Sequence, residues 1–132
     1  TKRWALYDRS PLPGWTAGRV ALLGDAAHAM LPFFAQGAAQ AIEDAEALAA
    51  CLRGADATAV PSALRRYEAM RRPRASEMQL MSRGREIRNH LPDGELQRRR
   101  DLELAHGEPL RQSAWLYGHD GERRQAASPT GA

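Results

Sequence analysis

Two features of this sequence could act on one ligand: a carboxylate closing an apolar run, and a glycine opening an alanine-rich stretch. The run Arg19-Val20-Ala21-Leu22-Leu23 ends at Gly24-Asp25. A continuous apolar run bounded by a turn suits a strand buried on both faces. In α/β folds ligands bind in the crevice beyond the carboxyl ends of strands, which is where Asp25 would stand. A carboxylate there accepts hydrogen bonds from ligand hydroxyls, as on a sugar or a ribityl chain. Further on, Gly37 opens a helical pattern. The first amides of that helix, near Gly37, Ala38 and Ala39, have no intrahelical partner and carry partial positive charge. They suit an anionic ligand group, and small side chains at 38 and 39 let a planar ring approach the backbone.

Other reactive residue types read more plainly. Histidine is a residue type suited to acid–base catalysis, but a structural role is expected for His28. Glu43 and Asp44 fall in the first turns of the helix, where carboxylates offset its dipole. Cys51, the one cysteine, has no partner for a disulfide or a thiolate metal site and reads as a small apolar residue. Met70, Met78 and Met81 read as core filler. No side chain is assigned a catalytic role, and no metal site is expected.

The elements that must position these residues follow from pattern. Residues 1–17 hold Trp4, Tyr7, Pro11, Pro13, Gly14 and Trp15 and read as extended chain and turn. The strand 19–23 has no convincing second strand to pair with, so its partners are expected outside this chain. Ala38, Ala41, Ile42, Ala45, Leu48, Ala49 and Leu52 recur at helical spacing, predicting a helix over 37–53 that ends at Gly54. A second helix is predicted over 61–89, with Leu64, Tyr67, Met70, Met78 and Met81 on one face and a kink or break at Pro73. Leu91-Pro92-Asp93-Gly94 is a stop, and 95–105 a short charged helix. The tail from Gly121 has a disordered composition. The expected organisation is 1–36 as extended segment, strand and loop, 37–106 as a helical part, and 107–132 as a C-terminal segment.

Composition excludes several classes. At 132 residues, 43% hydrophobic and 27% charged, the chain is long enough for one domain with a core. The net charge is +3, nearly all of it from arginine, but acidic residues are interleaved, as in Arg83-Gly84-Arg85-Glu86. That pattern describes solvated helix faces and disfavours nucleic-acid binding. No apolar run approaches a membrane span. With no leader visible, a cytoplasmic location is the expectation.

The motif set Gly24-Asp25-Ala26-Ala27-His28, then Pro32, then Ala35-Gln36-Gly37-Ala38, then Glu43-Asp44-Ala45, resembles the second half of the FAD site in group A flavoprotein monooxygenases, the salicylate hydroxylase and para-hydroxybenzoate hydroxylase family. Tyr67-Glu68-Ala69-Met70-Arg71, Pro73-Arg74 and Trp115-Leu116-Tyr117-Gly118-His119-Asp120 extend the likeness. The resemblance implies a mainly α segment with one short strand, belonging to an α/β FAD-binding fold. It implies an enzyme that uses FAD, NAD(P)H and O2 to hydroxylate an aromatic, salicylate- or hydroxybenzoate-like compound. It further implies that Gly24 and Asp25 serve the ribityl side of FAD. Gln36, Gly37, Ala38 and Ala39 would then face the pyrimidine edge of the flavin. Pro32 would lie beside both ring and substrate, with Phe33 and Phe34 as an apolar substrate wall. Two departures stand out: Ala29, where this branch often has proline, and the aromatic doublet Phe33-Phe34.

The chain contains no Gly-x-Gly-x-x-Gly turn for the pyrophosphate. The expectation is therefore a fragment whose first partner is the N-terminal part of the same polypeptide, inactive alone. Its unpaired strand and exposed helix faces would favour a homodimer. The rival reading is a non-catalytic helical protein-interaction module. An upstream Gly-x-Gly-x-x-Gly would decide against that rival.

Overall fold

A computed structural model describes residues 1–107 and 113–118. The described residues are mainly helical. Two-residue strands β1 (Thr16–Ala17) and β2 (Val20–Ala21) form an antiparallel hairpin, with Thr16 opposite Ala21 and Ala17 opposite Val20. A single-turn helix α1 (Asp25–His28) and a 3-10 turn (Pro32–Phe34) follow, and then the long helices α2 (Gly37–Leu52) and α3 (Val60–Asn89). Helices α4 (Glu95–His106) and α5 (Ala114–Tyr117) complete the order. The chain divides into two compact units, Thr1–Ile87 and the part from Arg88 onward. The disordered tail expected from Gly121 lies outside the described residues.

The strand expectation needs correcting. Residues 19–23 do not form a strand buried on both faces: only Val20 and Ala21 are extended in pairing, Val20 is 65% exposed, and Leu23 is exposed. Their partner is the adjacent Thr16–Ala17, reached through Gly18-Arg19 with Gly18 at φ 57°. The strand is paired within the chain, so it offers no unpaired-strand argument for a homodimer.

Helix α2 begins and ends close to expectation, but its buried face differs. The stripe predicted from Ala38, Ile42, Ala45 and Ala49 is exposed, with Ile42 at 71%. The face turned inward carries Gln40, Asp44 and Ala47, with Leu48 and Cys51 packed against the core. Polar residues can occupy that face because they pair with one another and with α3, as described below. Helix α3 runs unbroken through Pro73, whose own position is exposed. Met78 is fully buried and Met81 half-buried, but Met70 is exposed, so only part of the methionine stripe is core. Among the described residues the core of the first unit gathers Trp15, Ala27, Ala47, Tyr67 and Ala75.

One face of α3 holds the preceding segments in order. Tyr67 donates its hydroxyl hydrogen to the Leu22 carbonyl (3.0 Å), and Thr16 donates to Glu68 (2.6 Å), fixing the hairpin. About three turns on, Gln79 donates to the carbonyl of Ala29 (3.0 Å) and Ser82 to that of Leu31, fixing the loop after α1. The Arg85 guanidinium lies 5.7 Å from the centre of the Phe34 ring, a cation–π contact. Buried carbonyls of an irregular loop need such donors, since no ladder supplies them.

Candidate functional site

The residues singled out from sequence lie on two adjoining pieces of backbone. Gly24, at φ 58° and ψ −139°, makes the turn from the hairpin into α1, a conformation that side chains resist. A Cβ added there would sit 3.4 Å from the Ala41 Cβ on α2, so the glycine also permits close approach. The turn presents Asp25, which is exposed and has no hydrogen-bond or ion partner among the described residues. Helix α1 itself packs against α2.

The second piece is the loop 32–36 and the start of α2. Ala35 is left-handed (φ 53°), the one non-glycine residue with positive φ among those described, and its amide closes on the Pro32 carbonyl (3.0 Å). This twist ends the 3-10 turn and aims the chain into α2. No side chain caps α2, and its first internal amide bond is from Gln40 to the Gln36 carbonyl (2.9 Å). Among the described residues the amides of Gly37, Ala38 and Ala39 thus have no partner, at the positive end of a 16-residue helix. A Cβ at Gly37 would meet nothing within 4 Å, so the space beside it is open.

The candidate residues therefore separate by exposure. Asp25, Pro32 and Ala38 are exposed, Gly37, Ala39, Phe33 and Phe34 are half-buried, and Gly24 and Gln36 are buried. The Gln36 side chain is turned inward at 8% exposure, so it is the Gln36 carbonyl that serves the helix start. An exposed carboxylate and three amide donors fit a large ligand that carries a hydroxylated chain beside a planar ring edged with hydrogen-bond acceptors. FAD has that constitution, so these residues fit it.

Directly behind this surface lies a network that sequence reasoning assigned to dipole compensation. Asp44 is fully buried, and its carboxylate accepts from three groups: the Gly24 amide (3.0 Å), His28 Nε2 (2.6 Å) and Arg71 Nε (2.8 Å). Arg71 also donates to Glu43 (2.5 Å) and to the Gln40 side chain (2.8 Å), and Arg74 donates to Glu43 (2.7 Å). The two acids therefore act as ion-pair partners, Asp44 fully buried and Glu43 half-buried; neither lies in the first turn of α2. Burial by itself would raise the Asp44 pKa, but the hydrogen bonds from His28, Arg71 and Gly24 outweigh it and hold the carboxyl below its usual range. Glu43 follows the same logic, with Arg74 and Arg71 overcoming its burial. His28 is fully buried, its ring 5.5 Å from that of Trp15. Cys51 is only half-buried, and desolvation pushes its thiol pKa up. Among the described residues no group of His, Cys, Asp or Glu could hold a metal ion, and no helix is long and apolar enough to cross a membrane.

Comparison with known proteins gives the chain its class. The sequence matches the FAD binding domain family over residues 3–82, and the chain belongs to that family. It is 49% identical to a 3-amino-4-hydroxybenzoate 2-monooxygenase of Streptomyces platensis over 132 residues, covering 100% of this chain and 32% of the relative. It is 42% identical to a salicylate hydroxylase of Pseudomonas putida over 125 residues, 89% of this chain and 27% of the relative. Among solved structures, a salicylate hydroxylase substrate complex superposes with a TM-score of 0.78 at 36% identity, covering 98% of this chain and 32% of that one. Klebsiella pneumoniae HpxO complexed with FAD and uric acid gives 0.71 at 37% identity, with 80% and 26% covered. The chain thus spans about a third of the length of the curated relatives it matches over its whole length.

Proposed function

We propose that this chain is the flavin-side segment of an FAD-dependent monooxygenase that hydroxylates a benzoate-type aromatic with NAD(P)H and O2. The observation that carries the reading is the exposed Asp25 carboxylate, without a hydrogen-bond or ion partner among the described residues, on the turn that precedes three amides with no intrahelical partner at the start of α2. In this reading Asp25 accepts hydrogen bonds from the ribityl hydroxyls, and the Gly24 turn sets its position. The amides of Gly37, Ala38 and Ala39 stabilise negative charge on the pyrimidine side of the flavin, an electrostatic contribution already in place before reaction. Gln36 supplies the carbonyl on which that helix begins. Pro32 borders both the ring and the substrate, and Phe33 and Phe34 close the substrate side with apolar surface. FAD, when bound, supplies the electron and oxygen transfer, and the protein binds, orients and shields it. The substrate class rests on the relatives, whose names specify aminohydroxybenzoate, hydroxybenzoate and salicylate.

The partner this segment requires is the remainder of its polypeptide, which would bring the pyrophosphate-binding turn and most of the substrate contacts. The test is therefore made on the intact protein. It should purify with bound FAD, oxidise NAD(P)H faster when hydroxybenzoates are added, and yield a product heavier by one oxygen atom. An intact protein that holds no flavin, or holds it and ignores every benzoate offered, would refute the reading. The isolated 132-residue chain should bind FAD weakly or not at all, since it lacks the glycine-rich anion site.

A further inference from the structure

Asp44, His28 and Arg71 are shut off from solvent, yet Asp44 is bonded to the residue that precedes Asp25. Asp44 Oδ2 takes the amide hydrogen of Gly24 at 3.0 Å, in the turn whose φ of 58° no ordinary side chain favours. The same oxygen takes the proton of His28 Nε2 at the far end of α1, so Asp44 grips α1 at both ends. Its other oxygen is held by Arg71 from α3, which fixes the carboxylate in orientation. Asp25 lies next to the gripped glycine, and among the described residues nothing else anchors its side chain.

We propose that Asp44 is a positioning residue for the flavin site, acting through the Gly24 turn to hold the Asp25 carboxylate where the ribityl hydroxyls meet it. This rests on the FAD reading above. Asparagine at 44 would offer one oxygen to three donors and turn two N–H groups toward them, so the turn would lose its anchor while side-chain volume stayed the same. A second route to the same turn leaves the cluster intact: alanine at 24 meets the positive φ and the Ala41 methyl.

The experiment is a double-mutant cycle on the intact protein, read as the FAD dissociation constant by flavin fluorescence, with apoprotein circular dichroism to confirm folding. Asp44→Asn should weaken FAD about tenfold alone, but less than about threefold when Asp25 is already alanine, because a positioning residue has nothing left to position. Gly24→Ala should behave the same way, and it decides the matter if Asp44→Asn does not fold. A purely structural Asp44 would lower the melting temperature and leave the FAD constant of the folded protein unchanged. That outcome, or a loss of equal size in the Asp25→Ala background, overturns the proposal. Absence of FAD binding by the unmutated intact protein would instead remove the flavin reading on which it rests.

Discussion

Asp25 and Asp44 belong to the same chemistry and nearly the same place, yet their surroundings are opposite. Asp25 is exposed and unpaired among the described residues; Asp44 is wholly buried and bonded to Gly24, His28 and Arg71. A buried charge persists only when its lone pairs are filled from within. A carboxylate left empty at a strained turn is available to something from outside. The contrast separates what the fold needs for itself from what it offers to a ligand, and each side can be attacked independently.

The largest effect should come from Arg71→Ala in the intact protein. Arg71 neutralises Asp44 and Glu43 together from a nearly buried position. Removing one partner of such a pair leaves uncompensated buried charge, at a cost of about 3–5 kcal/mol. Urea or thermal unfolding would register it; a change within 1 kcal/mol, about the ceiling for surface pairs, would mean that Arg74 and solvent take over the acids.

Asp25→Ala should do the converse. Folding stability should hardly move, while FAD affinity falls by one to two decades, from about 1.5–3 kcal/mol for a charged hydrogen bond. Unchanged FAD affinity would take Asp25 out of the site and collapse the contrast.

Acid discharges the inner carboxylates without changing their shape, so a smaller effect is expected. The pKa values of Asp44 and Glu43 are both depressed in the fold. Their stabilisation is present above the unfolded carboxylate values near 4 and is lost as pH falls through the lower folded values. The intact protein should therefore lose stability below about pH 4, and Asp44→Asn should flatten that loss. An acid limb of the same steepness in the mutant would assign it to other groups.

The two aspartates also differ in how readable they were. The Gly24-Asp25 turn could be read from local order, although the strand expected before it shrinks to Val20–Ala21 and Asp25 begins a helical turn. The start of α2 and the reach of α3 were legible from helical period. Asp44 was not, because its meaning depends on Arg71, which only the packing of α3 on α2 brings to it. One signal was present in the sequence: Gln40, Asp44 and Ala47 share a face, and a polar pair on an otherwise alanine-lined helix must be solvated or answered by another element. The hairpin was missed for a different reason. Thr16–Ala17 is too short to carry a strand pattern, and what fixes it comes from Tyr67 and Glu68 far along the chain. Pro73 does not break α3, because a proline on the exposed side of a helix packed along its other face need not end it.

The smallest effect tests whether burial, and not charge pairing itself, is what distinguishes the inner cluster. Helix α4 carries its own ion pair, Arg99 with Glu103 at 3.3 Å, one turn apart. Arg99 is 78% exposed, against 4% for Arg71. Exposed pairs of this spacing contribute about 0.3–0.5 kcal/mol, because water and salt already stabilise both charges and two long side chains must be ordered. Glu103 also keeps a second partner in Arg88 (3.1 Å), so losing Arg99 leaves no carboxylate stranded. Arg99→Ala should then change stability by no more than about 0.5 kcal/mol, and by less still in 1 M salt. Were it to cost as much as Arg71→Ala, burial would not be the reason the Asp44 cluster matters, and the case for Asp44 as a fixed anchor of the Gly24 turn would lose its physical basis.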